Sequence, residues 1–342
     1  MNKKVSVIVP CYNIEQYIER FFASLENQVM PLEEFEIILV DDCSKDHTWE
    51  KICAFEQKHP EQVIAIQNEV NSRQGFSRNS ALSYASGEYI AFLDGDDWVE
   101  PDYLSAMYEK AVAYDCDMVV CNAWRDFGDG EKYEMQKAEM QKERFLSVDS
   151  PEIRKRLIEN AAFGVTAWGK LFKRSFFMEH ALYFPEGMVF EDVGWGILPY
   201  LYFTRVYVME DYLYHYFVNR NSVVLKKGQD YYYDLFKANY YKYEQLQERG
   251  AFDRMRDVLE FDFIVSFYLS ALKMFGNHYD SIPAQEFEEL QQFMLTRFPD
   301  CMHNPYIQTN LDERSRMQIF FLDKKMSQKE LSELHRILSM RA

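Results

Sequence analysis

Within its first 122 residues the chain alternates short apolar runs with amphipathic stretches, a pattern that fits strand–helix–strand units around a largely parallel sheet. Val5–Pro10, Glu36–Asp41, Val63–Gln67 and Tyr89–Asp94 read as strands, and helices are predicted over Glu15–Gln28, Thr48–Lys58 and Phe76–Ser86. A helix over Tyr103–Tyr114 and an apolar run at Asp117–Cys121 continue the pattern, so at least five strands are expected. From Arg125 to Ser150 periodicity lapses, which reads as a surface loop or short hairpin. Pro151–Asn160 and Lys173–His180 read as helices, Arg205–Met209 as a strand, and Tyr212–Phe217 as a half-buried strand. After Ser222 the period is helical, over Tyr231–Arg249, Phe252–Phe275, Gln285–Phe298 and Ser327–Met340. The expected division is an α/β domain over residues 1–225, with halves 1–122 and 123–225, and a helical subdomain over 226–342.

Lys and Arg number 38 against 55 Asp and Glu, a net charge of −17, which argues against a nucleic-acid partner because such binding rests on basic contacts to phosphate. The longest apolar stretches, such as Phe261–Met274, carry Asp262 and Lys273 and fall short of the ~20 residues a membrane-spanning helix needs. Met1–Lys4 runs straight into a strand-like segment without a signal-peptide h-region, and the six cysteines show no CxxC or zinc spacing. A cytoplasmic protein with reduced thiols is expected.

Ligands of parallel α/β sheets bind beyond the carboxyl ends of the strands. There the chain places Pro10-Cys11-Tyr12-Asn13, Asp41-Asp42-Cys43-Ser44-Lys45-Asp46 and Asp94-Gly95-Asp96-Asp97-Trp98. Three carboxylates within four positions at Asp94–Asp97 suit a divalent cation that relieves their repulsion; they equally suit a solvated turn that caps the next helix. Asp41-Asp42 offers a hydrogen-bond acceptor to a nucleobase or ribose, or else a helix entry with Ser44 or Asp46 as cap. Asn71, Gly75, Arg78 and Asn79 lie where a loop enters a helix, a place for an anion or simply a tight turn with a surface arginine. Glu191-Asp192 forms a second acidic segment ahead of an apolar stretch, where either residue could cap a following helix.

In chain order, Val5–Asn13, Val40–Thr48, Asn71–Asn79 and Gly87–Trp98 resemble the motifs of the family 2 glycosyltransferases with the GT-A fold. Trp168–Phe172, Phe184–Gly187, Phe190–Asp192 and Arg220-Asn221-Ser222 extend the likeness into the acceptor half of bacterial members. The resemblance implies that Pro10, Tyr12 and Asp42 border the nucleobase and that Arg78 contacts the nucleotide. It also implies that Asp94 and Asp96 form the DxD motif, with Asp96 reaching a metal and Asp97 assisting. Asp192 matches the general base of inverting members, and Arg220 is the candidate guanidinium for the departing diphosphate. Trp168 and Glu191 are expected on the acceptor side. Ser77 stands where an alanine is usual.

The implied activity is Mn2+- or Mg2+-dependent, inverting transfer of a hexosyl or N-acetylhexosaminyl group. The donor is a nucleotide sugar, most plausibly a UDP-sugar, and the acceptor a glycan or lipid-linked saccharide in surface polysaccharide assembly. The setting is cytoplasmic or peripheral at the inner face of the membrane. Two rivals remain at this point: a nucleotidyltransferase, which a Gly-rich basic phosphate loop after the first strand would favour, and a catalytically silent nucleotide-sugar-binding subunit.

Overall fold

The first apolar run forms β1 (Val5–Cys11), every residue of it buried. β2 (Phe35–Asp41) lies parallel on one side and β4 (Tyr89–Phe92) parallel on the other, while β3 (Val63–Gln67) extends the sheet beyond β2. Strands buried on both faces carry continuous apolar sequence rather than alternation, which is why these runs are readable. The crossovers are α1 (Ile18–Glu26), α2 (Thr48–Lys58) and α3 (Arg73–Leu82), followed by β5 (Trp98–Val99) and α4 (Tyr103–Ala113). The structure, a computed structural model, describes residues 3–135, 142–218 and 230–340.

Among the described residues ten strands join one sheet, where the sequence promised at least five. Beyond β4 come β6 (Met118–Asp126), β7 (Lys132–Met135), β8 (Arg144–Ser147), β9 (Lys170–Lys173) and β10 (Arg205–Phe217). The main order is β3-β2-β1-β4-β9-β6-β10-β5, with β7 on β6 and β8 on β10. β9 sits between β4 and β6 antiparallel to both, so the largely parallel sheet carries mixed pairing in this half. Four residues show no period, and nothing in the sequence marks β9 as a strand. β7 turns the region expected as loop or hairpin into a hairpin with β6, and β10 merges the two strand-like runs across register shifts between Val208 and Tyr214.

Pro10 occupies a central strand, a placement that normally costs a ladder hydrogen bond. Here β4 pairs only Val5 to Ile8 of β1, so Pro10 lies beyond the last residue β4 reaches. The two strands part at that point, and a crevice opens at their carboxyl ends.

The remaining elements of the first unit, Met1–Asn219, are α5 (Pro151–Glu159), α6 (Arg174–Glu179) and α7 (Glu191–Trp195). Ser150 caps α5 through Ile153 N–H, with Pro151 in its first turn. α3 begins a turn earlier than its apolar period suggests, because the Asp42 carboxylate accepts from Ser72 N and Arg73 N at its entry, each at 2.8 Å.

The second unit, Arg220–Ala342, is helical where described. It comprises α8 (Asp230–Glu248), α9 (Phe252–Phe263), a π-helical turn (Ile264–Leu269), α10 (Ser270–His278), α11 (Ala284–Arg297), α12 (Tyr306–Asn310), α13 (Glu313–Ile319) and α14 (Gln328–Ser339). The helix predicted over Phe252–Phe275 thus kinks at Met255 (φ −144°, ψ 34°) and widens into the π-helical turn before α10. Lys242 is buried in this unit, its Nζ donating to Asp262 at 2.9 Å and Ser266 at 2.6 Å. Ser327 and Glu330 close a capping box at the start of α14.

α3 docks so closely on the chain near Pro185 that a Cβ on Gly75 would lie 2.0 Å from the Pro185 carbonyl oxygen. Gly75→Ala is therefore expected to destabilise the fold by about 1–3 kcal/mol, the usual cost of overpacking. A lower urea midpoint at unchanged slope checks this; an unchanged midpoint rejects the close docking.

Candidate active site

At the crevice, two non-glycine residues take left-handed backbone, Asn13 at φ 52° and Cys43 at φ 60°. They bend the chain ends of β1 and β2 toward each other: Asn13 N donates to Ser44 Oγ, and Lys45 N donates to Asn13 Oδ1. Tyr12 is 40% exposed above this junction, while Pro10 is buried in the strand. Asp42 is buried, and its carboxylate also accepts from Asn68 Nδ2 at 2.8 Å, so it organises the loop into α3. Asp41 beside it accepts from Gln67 and Ser44 through Oδ2. Its buried Oδ1 has no partner among the described residues.

Arg78 joins the two halves of the first unit. It is 2% exposed, and its guanidinium donates to Asp94 Oδ1 at 2.8 Å, to Glu191 Oε1 at 2.5 Å and to Gln74 Oε1 at 3.1 Å. Burial alone would lower its proton affinity, but the two carboxylates outweigh that and raise it. Asn79 makes the next link, exchanging two 2.9 Å hydrogen bonds with the backbone of Phe184 and donating to Glu186. The Arg-Asn pair that reads in sequence as a nucleotide contact therefore ties α3 to the Phe184–Glu191 segment, a bridging role that sequence reasoning did not supply.

Asp94, Asp96 and Asp97 face different ways. Asp94 is held by Arg78, and its backbone N–H donates to Tyr214 Oη at 3.3 Å. Gly95 leaves no room for a side chain, since a Cβ there would sit 2.5 Å from Ile14 Cδ1. Burial, with Asp94 adding to it, raises the Asp96 carboxyl to about 6. Asp97, expected as the assisting metal ligand, has both oxygens engaged: Oδ2 accepts from Tyr214 Oη, and Oδ1 accepts from Phe217 N at 2.7 Å. Its burial pushes it well above the usual carboxylate range. Among the described residues no group of three or more His, Cys, Asp or Glu side chains forms a preassembled metal cage. The donor set at Asp96 and Asp94 instead suits a hard cation of the Mg2+ type, which keeps one or two carboxylates and completes its shell from phosphate and water.

Asp192 lies in the short helix α7, behind Phe190 in left-handed backbone at φ 67°. Its Oδ1 accepts from Val193 N at 2.8 Å. Burial pushes this carboxyl up to about 7, with Glu191 adding, Arg78 opposing and Asp94 contributing, so it belongs to the same electrostatic neighbourhood as the strand-four acids. Glu191 itself is 7% exposed and bound to Arg78. Trp168 stacks on Tyr214 at 4.7 Å and on Tyr216 at 5.7 Å between ring centroids. Arg220, the expected guanidinium, lies outside the described residues, as do Asn221 and Ser222. Tyr214, which the sequence offers only as part of an aromatic strand, proves to be the group that connects Asp94, Asp97 and Trp168.

A parallel nucleotide-type half-sheet, an acidic turn at its mouth and a carboxyl near neutrality define a transferase of the GT-A fold. Residues 6–181 match the sequence profile of Glycosyl transferase family 2, and the chain belongs to that family. The glycosyltransferase EpsH of Bacillus subtilis (strain 168) is 32% identical over 268 residues, covering 75% of this chain and 73% of its own length. The poly(ribitol-phosphate) beta-glucosyltransferase of Bacillus spizizenii is 32% identical over 221 residues; the match covers 64% of this chain but 33% of that protein. Among solved structures, Staphylococcus aureus TarS 1–349 in complex with UDP-GlcNAc superposes with a TM-score of 0.70 at 21% identity, over 98% of this chain and 90% of that one.

The raised Asp192 carboxyl fixes the sign of a pH effect. The folded protein holds a proton that the unfolded chain, with an ordinary value of 3.8, has already released, so this group costs stability as pH rises from about 4 through about 7. Asp192→Asn should melt higher than wild type at pH 8, and the gap should close toward pH 4. A gap independent of pH in calorimetric melts would reject the raised value.

Proposed function

We propose that the chain transfers a sugar, with inversion, from a UDP-sugar to a hydroxyl of a cell-surface glycan or lipid-linked acceptor. The observation that carries this reading is the Arg78 bridge, which draws the DxD-type acids and the Glu191-Asp192 pair to one crevice. Similarity to a poly(ribitol-phosphate) beta-glucosyltransferase and to TarS solved with UDP-GlcNAc supports a hexosyl or N-acetylhexosaminyl donor and a wall-polymer type of acceptor. The proposed setting is the cytoplasm or the inner face of the membrane. Among the described residues no helix is long and apolar enough to cross a membrane.

In this reading the base lies against Tyr12 and the Asp42 loop at the ends of β1 and β2. Asp96, with Asp94 beside it, holds Mn2+ or Mg2+, and Asp97 fixes the loop from behind. The cation supplies electrostatic stabilisation of the departing diphosphate. Asp192 takes the proton from the attacking acceptor hydroxyl; a value near 7 suits a base working at neutral pH. A single base opposite the leaving group gives direct displacement and hence inversion. Trp168, with its ring stacked on Tyr214, is the proposed acceptor platform, and Arg220 the second cation for the diphosphate.

Two variants test the assignment. Asp192→Asn keeps its shape but cannot accept the proton, so turnover should fall about 10²–10⁴-fold with donor affinity nearly unchanged. Asp96→Ala should abolish manganese-dependent UDP binding measured by calorimetry, and equal affinity in variant and wild type with manganese would sink the metal assignment. A crystal grown with UDP should show the base beside Tyr12; a base bound beyond residue 225 overturns the placement.

A further inference from the structure

Arg20 lies in α1, and nothing in the sequence distinguishes it from the other charged residues of an amphipathic helix. In the fold it makes three contacts with the acidic loop and the end of β10. Its Nη2 donates to the Asp96 carbonyl oxygen at 2.9 Å. Its guanidinium lies over the Trp98 ring at 3.6 Å and over the Phe217 ring at 4.5 Å from the centroids. Trp98 also stacks on His215, 4.8 Å between centroids and 15° from parallel, and the two ring nitrogens of His215 meet Glu100 at 2.9 Å and Asp126 at 3.0 Å.

Three consecutive loop residues are thus pinned by different means: Asp96 through its carbonyl, Asp97 through its carboxylate on Tyr214 and Phe217, and Trp98 through its ring. Of these, Asp96 is the one whose carboxylate takes no part in the pinning. An arginine can do this work where a lysine cannot, because a planar guanidinium stacks on rings while its edge donates a hydrogen bond.

We infer that Arg20 is a positioning residue for the donor site: by clamping the Asp96 backbone against Trp98 and Phe217 it holds the Asp96 carboxylate where a diphosphate-bound divalent cation needs it. The inference rests on the donor site proposed above. It predicts a sign that simple electrostatics reverses. A positive charge acting only by repulsion would weaken cation binding, so its removal would tighten manganese, whereas loss of a clamp loosens it.

The test is calorimetry of UDP with the full chain, with manganese and with chelator, on wild type, Asp96→Ala, Arg20→Met, Arg20→Lys and Phe217→Leu. Arg20→Met should weaken manganese-dependent UDP binding about tenfold, the scale of one charge-assisted hydrogen bond, and leave chelator-condition binding unchanged. Arg20→Lys should restore little of it. Unchanged or tighter binding with manganese in Arg20→Met overturns the inference, as does an equal loss under both conditions, which would mark a merely structural residue. Should Arg20→Met not fold, Phe217→Leu keeps Arg20 and the Asp97 backbone bond but removes one ring. Weaker manganese-dependent binding then supports the clamp, and unchanged binding rejects it. If instead wild type and Asp96→Ala bind UDP alike with manganese, it is the donor-site reading that fails, so the two failures are separable.

Discussion

The fold around the crevice depends on one buried cation. Arg78 is shut off from solvent with Asp94 on one side and Glu191 on the other, one acid from the nucleotide-type half and one from the segment that follows it. A guanidinium in that position cannot give up either partner cheaply: breaking a buried pair strands a charge and costs about 3–5 kcal/mol. The planar fork also fixes direction, since two of its nitrogens reach two carboxylates more than 90 positions apart in sequence. Asn79 and the close docking of Gly75 on Pro185 hold the same segment through backbone contacts, so α3 is the hub to which the Phe184–Glu191 segment is tied.

The acidic turn follows the opposite economy. Asp94, Asp96 and Asp97 crowd within one turn, and each is disposed of differently: one is neutralised by Arg78, one is bonded to Tyr214 and Phe217, and one is left with a raised proton affinity. Such unresolved repulsion is destabilising by itself and fits the proposed role of this turn in receiving a cation with an anionic ligand. Tyr214 shows how the sheet imposes this arrangement. Its hydroxyl reaches Asp94 and Asp97, and its ring supports Trp168, so a single residue of β10 serves the donor loop and the proposed acceptor platform.

The parallel half of the sheet was legible because buried strands leave long β-branched runs and because their crossovers are helices of ordinary amphipathic period. Helix α2 falls on its predicted bounds; its N-cap is His47, which makes no side-chain cap, and Asp46 ahead of it accepts from Thr48 N–H at 3.0 Å. The order of the four motifs was enough to mark the family and the fold. In the second half legibility fails for local reasons. β9 is too short to show a period, β5 has two residues, and the helices α12 and α13 are single turns or little more.

By itself the sequence determined the largely parallel α/β frame and the set of acids at the strand ends, which follow from spacing along the chain, and the resemblance of its motifs marked the family. The tertiary structure alone decided what each acid does. Asp42 and Asp97 have their carboxylates bonded to backbone donors, burial raises the proton affinity of Asp96, and Asp192 is carried near neutrality. It also promoted Arg20 and Tyr214 from unremarkable positions to the supports of the acidic loop. The physical reason is that spacing states which groups are close along the chain, whereas burial, a guanidinium 3.6 Å from a ring centroid and a partner about 120 residues away are created only when α1 packs on β5 and β10 folds against β5 and β6.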